Sequence, residues 1–195
     1  MSQFSIYFQL GFHHILNWGA LDHILFIIAL CLRNQFSDWK RVLFLVTAFT
    51  IGHTITLAIS LLDIISFSKN WVEFLIVLTI IITSLQNVFN KKGYSKNKLN
   101  AMYWFALFFG LIHGLAFSTD LKSIIGNGDG LIIKLFAANI GIESAQLIFV
   151  FILLVINFIS LNLIKINKRE YTLFISSAIF GIALYLASLK ISLVL

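Results

Sequence analysis

Five side chains in this sequence combine metal-ligand chemistry with a setting in which ionisable groups are costly. Asp22 and His23 lie in residues 11–26 (GFHHILNWGALDHILF), and His53 lies in residues 49–57 (FTIGHTITL). His113 and Glu143 follow in two further apolar segments. Ionisable residues inside membrane-spanning segments are rare and mark ion pathways, relays or ligand sites. Neutral imidazole with carboxylate suits divalent nickel, cobalt, zinc, copper or iron. Cys31 is the only cysteine, so no CxxC motif or soft thiolate site is present. A buried carboxylate stays protonated, pairs with a cation or binds a metal, and no lysine or arginine lies deep in any apolar segment. Adjacent helical residues point about 100° apart, so of Asp22 and His23 one ligates while the other orients a neighbouring ligand. Asn139, Glu143 and Gln146 follow i, i+4, i+7 spacing and share a face, as do Thr50, His53 and Thr56. Both faces are expected to line a polar cavity. Any one histidine alone also fits a plain interhelical hydrogen bond, a role open to Thr50, Thr56, Asn87 and Asn139. The group as a whole favours function.

The elements that must position these groups are transmembrane helices. Hydrophobic residues make up 59% of the 195 and charged residues 11%, with mean hydropathy +0.96. A soluble domain carries about 25% charged residues. The expected fold is an all-α, multi-pass bundle in which residues 1–195 form a single transmembrane domain. Apolar windows of about 20 residues define six spans, near 4–32, 40–62, 71–89, 100–118, 131–164 and 171–193. The first is over-long and interrupted by Gly11, Asn17, Trp18 and Gly19, which predicts a short entering helix followed by a spanning one. The chain has no proline, so kinks fall to glycine or polar side chains. The N-terminus has no basic region or AxA-like site, so the first span is expected to insert and stay. Ten basic residues fall in the loops around 33–41, 90–99 and 165–169, against Lys69, Lys122, Lys134 and Lys190 at the other ends. This bias predicts both termini outside and explains the net charge of +6 without a nucleic-acid partner. At about 1.5 Å per residue, His53, His113, Asp22, His23 and Glu143 stand roughly 12–20 Å from the span ends. All fall near the midplane of a core about 30 Å thick.

The ordered motifs at residues 11–26, 46–57 (VTAFTIGHTITL), 72–75 (VEFL), 108–118 (FFGLIHGLAFS) and 139–146 (NIGIESAQ) resemble the HupE/UreJ family of bacterial membrane proteins. The resemblance covers most of the chain from Gly11 to about Gln146. It implies a permease for nickel or cobalt of six to seven spans in the bacterial inner membrane, linked to hydrogenase and urease maturation. The family's metal-site positions fall on His14, Asp22, His23, His53, His113 and Glu143. The spacing between His14 and Asp22 is looser than in classical nickel permeases, and ANIGIESAQ departs from the family's FNLGxExGQ form. The lipid bilayer and a divalent cation are the implied partners; a homo-oligomer or maturation partners stay open. A second class fits the same donors: a zinc-dependent intramembrane hydrolase, with three histidines and a carboxylate on zinc and Glu143 or Asp22 as general base. A purely structural subunit is a third. Glu73 is expected to be solvated or capping and His13 interfacial. GNGDG (126–130) reads as a glycine turn, and Gly110 and Gly114 as a close-packing GxxxG.

Overall fold

The computed structural model describes residues 2–17, 21–65, 67–90, 96–125 and 130–193. Its described regular structure is helical throughout: α1 (Gln3–Leu16), α2 (Leu21–Cys31), α3 (Trp39–Leu61), α4 (Lys69–Phe89), α5 (Lys96–Ile125), α6 (Leu131–Phe158) and α7 (Lys168–Ile191). A short 3-10 turn, Phe36–Asp38, leads into α3, and a π-turn, Ile159–Leu163, ends α6. Among the described residues, five helices are long and apolar enough to cross a membrane. α1 and α2 are too short to cross singly, at about 21 and 17 Å. Together they can form one span bent by 69°. The expected short-then-spanning arrangement is thus replaced by two half-length helices. Trp18 and Gly19 lie outside the described residues, as do Lys91, Lys92 and 126–129 of the glycine turn. α5 continues to Ile125, about two turns past its expected end at 118.

Three helix pairs organise the bundle. α3 and α5 run in parallel, with Phe44 meeting Tyr103 and Ser60 meeting Ser118 at nearly constant offset. α1 and α6 also run in parallel, placing Gly11 against Ala138 and Tyr7 beneath Lys134. α4 and α7 are antiparallel, pairing Glu73 with Lys190 at one end and Val88 with Arg169 at the other. Lipid offers no hydrophobic gain for bringing helices together, so membrane helices associate through small residues and polar contacts. A Cβ on Gly52 or Gly110 would collide with backbone of the facing helix, and Gly11 and Gly141 do the same job between α1 and α6.

The bundle end at which α3 and α7 finish is termed upper, and the end at which α2 finishes lower. α2 is anchored at its lower end by two buried amides. Asn87 donates to the Ala29 carbonyl at 2.6 Å, and Asn157 donates to the Leu32 and Asn34 carbonyls at 3.3 and 3.2 Å. These satisfy helix-end carbonyls that have no partner within the helix. The expected interhelical role of Asn87 is realised here. α2 is thereby held with its first turn, Asp22 and His23, inside the bundle.

Candidate metal centre

The end of α1 and the start of α2 lie inside the bundle, which brings His14, in the last turn of α1, next to Asp22 and His23, in the first turn of α2. The ring centroids of His14 and His23 are 4.7 Å apart. His113 arrives from the middle of α5, 5.1 Å from the His23 ring. His53 comes from the middle of α3, 6.5 Å from His14. One ligand atom each from Asp22, His23 and His113 lie within 4.8 Å of one another. Bonds of about 2.1 Å to a shared ion would set such atoms about 3–4 Å apart, so a small contraction completes the shell.

The donors are prepared for a cation. A carboxylate oxygen only accepts, so His23 Nδ1 donates to Asp22 Oδ1 at 3.1 Å, leaving the Nε2 lone pair free. His23 Nε2, His14 Nε2 and both ring nitrogens of His53 and His113 are buried without a hydrogen-bond partner. An unsatisfied buried polar atom costs about 1–3 kcal/mol. Several in one cluster are hard to explain as packing, and a bound cation would satisfy one nitrogen of each imidazole it reaches. His53 and His113 are fully enclosed, at 0% exposure.

Phenylalanines bound the cluster on the lower side. Phe26, Phe49 and Phe109 each sit one helical turn below His23, His53 and His113 respectively. Phe26 packs 5.3 Å from Phe49 and 5.6 Å from Phe109, closing a ring layer under the imidazoles. Above, Phe117 stacks on His14 at 3.8 Å. The upper side is open: a cavity of about 300 Å³ reaches from His14, Asp22 and His23 past Ile76 and Val77 to Glu73 and Lys190. The cluster is therefore accessible from above and sealed below.

The remaining sequence-predicted residues separate from this centre. Glu143 lies on the α3–α6 face, where it accepts from Thr47 at 3.3 Å. Thr50 donates to Gln146 and Thr54 to Asn139, both at 2.9 Å. These three bonds form a polar ladder on a face of α3 turned about 90° from His53. Thr50 is engaged there by Gln146, and Thr56 bonds back to the Gly52 and His53 carbonyls of its own helix, against Gly114. Thr47 and Thr54 were missed, although Thr47, Thr50 and Thr54 share a face at i, i+3, i+7, matching Asn139, Glu143 and Gln146. His13 is exposed, edge-on to Phe12. Glu73 is not simply solvated, because it pairs with Lys190 and Lys69 at the cavity mouth. No sequence signal linked residues so far apart.

No curated protein and no solved structure matches the chain. A family model described as HupE / UreJ protein matches residues 1–191. The apolar helices and that match make this a multi-pass membrane protein, and the chain belongs to the HupE / UreJ family.

Proposed function

We propose that the protein is a permease for nickel or a related divalent transition-metal cation in the bacterial inner membrane, with both termini and the upper end outside. The observation that carries this reading is the cluster of partnerless imidazoles beside Asp22 at a helix break. The family's association with nickel and cobalt transport agrees with it. A hydrated ion enters the upper cavity and exchanges water for Asp22, His23 and His113. His14 and His53 stand next to these three as further donors. Release inward requires the Phe26–Phe49–Phe109 layer to part. Conduction also demands that binding be weak enough to let go.

A zinc-dependent hydrolase would use the same donors. The charged mouth formed by Lys69, Glu73 and Lys190 favours a hydrated ion over a lipid substrate. Uptake of nickel and cobalt into proteoliposomes, with wild type, Asp22→Asn and His113→Gln, tests the proposal. Wild type is expected to take up at least one metal, and both variants to lose most of that uptake. Cleavage of an added lipid amide or peptide without any metal uptake would replace the permease with the enzyme.

A further inference from the structure

The mouth of the cavity holds charged groups that the cluster itself does not use. Glu73, in the second turn of α4, and Lys190, in the last turn of α7, meet there as a hydrogen-bonded ion pair. Lys69 stands 4.0 Å from the other carboxylate oxygen. Glu73 is 24% exposed and Lys190 31%, so water reaches the pair. One turn further down α4, Ile76 and Val77 line the same cavity toward Asp22 and His23. An ion that takes this cavity from the upper end to the cluster passes Glu73.

The pair is not alone in holding α7 on α4. Arg169 already donates to the Asn87, Val88 and Asn90 carbonyls at the lower end of α4. At the upper end, Asn70 donates to the Leu193 carbonyl at 2.9 Å. Lysine is a compact charge on a flexible four-carbon stem, and this one sits in the last turn of its helix with its side chain partly exposed.

Building on the permease reading, we propose that Glu73 is a receiving site for the divalent cation, and that the Lys190 ammonium occupies it between transport events as a tethered counter-ion. An isolated carboxylate in a narrow cavity is costly. Exchange of ammonium for metal keeps Glu73 compensated throughout. A divalent ion on Glu73 repels Lys190 away from the mouth and opens the way down. Once the ion has moved to Asp22, His23 and His113, Lys190 returns and opposes back-flow. Lys69 adds a second positive charge that keeps affinity at the mouth low, so the ion moves on.

The test is nickel uptake into proteoliposomes as a function of nickel concentration, comparing wild type, Lys190→Met, Glu73→Gln and the double variant. Cobalt absorption at saturation in solubilised protein reports on the cluster separately. Lys190→Met frees Glu73 and is expected to lower the half-saturating concentration about fivefold, the upper range for a water-accessible ion pair. Glu73→Gln leaves Lys190 uncompensated in the path and should raise it by at least as much. Adding Lys190→Met to Glu73→Gln should recover part of that loss, with saturated cobalt absorption equal in every protein. A Lys190→Met protein that captures nickel as poorly as Glu73→Gln, or a double variant no better than Glu73→Gln, makes the pair a structural clamp and overturns the receiving site. Wild-type protein that neither binds nor transports either metal overturns the permease reading, and the receiving site with it.

Discussion

The separation of α3 and α5 decides whether His113 can reach its partners, and Gly110→Ala perturbs that separation directly. A Cβ at position 110 would stand 2.9 Å from the Phe49 carbonyl carbon and 3.1 Å from the His53 backbone nitrogen, with the Phe49 carbonyl oxygen closer still. These atoms are backbone, so no side-chain rotation relieves the overlap. Restoring ordinary carbon contact requires the helices to part by roughly 1 Å. Overpacking of this kind costs about 1–3 kcal/mol, which a bundle with seven described α-helices can absorb while staying folded. The donor atoms of Asp22, His23 and His113 must already draw together to share an ion, so a further shift of α5 moves His113 out of bonding reach and weakens the site. The expected loss of cobalt affinity is about 100-fold, or about 2.7 kcal/mol. Cobalt titration followed by visible absorption measures it, with circular dichroism checking that helix content is kept. Gly181→Ala is the control, because a Cβ there meets nothing within 4 Å. A folded Gly110→Ala protein that binds cobalt within about threefold of wild type would refute the link between close helix packing and site geometry.

Two further outcomes follow from the layers around the cluster. Phe49→Ala removes one ring beneath the imidazoles, which packs 5.1 Å from His113 and 5.3 Å from Phe26; proteoliposomes carrying it should leak divalent cation down its gradient, and wild-type tightness would show that the ring layer is not the seal. Glu143→Gln keeps the side chain able to accept from Thr47, so cobalt affinity at the cluster should stay within about twofold of wild type. A large drop would place Glu143 in the metal shell after all.

Much of the fold can be read from residue order because lipid leaves so few alternatives. Backbone polar groups must be satisfied within each segment, so long apolar windows could only be helices, and α3, α4, α6 and α7 lie close to their expected bounds. The exceptions are instructive. α5 runs about three turns longer than its expected window, about two of them past position 118, because a polar helix end in water costs little. The first window divides into α1 and α2, each too short to span, since the asparagine–glycine region breaks the pattern in the middle of what hydropathy reads as one stretch.

The candidate site divides along the same line. Residue type and depth marked Asp22, His23, His53 and His113 as costly groups in one layer of the membrane, the family resemblance added His14, and the structure brings these five together where α1 ends and α2 begins. Depth carries no information about azimuth, however. Glu143 shares the layer but faces Thr47 across the α3–α6 seam, because α6 packs its Gly141 face on α1 and so turns the Asn139–Glu143–Gln146 stripe toward α3. Likewise nothing local connects Glu73 with Lys190; the antiparallel docking of α7 on α4 does. Sequence by itself determined the solvent, the helices and the chemistry of the donors, since these depend on composition and on spacing within one segment. Which donors meet was decided only by the glycine-mediated contacts between helices, which set rotation and spacing across segments far apart in the chain.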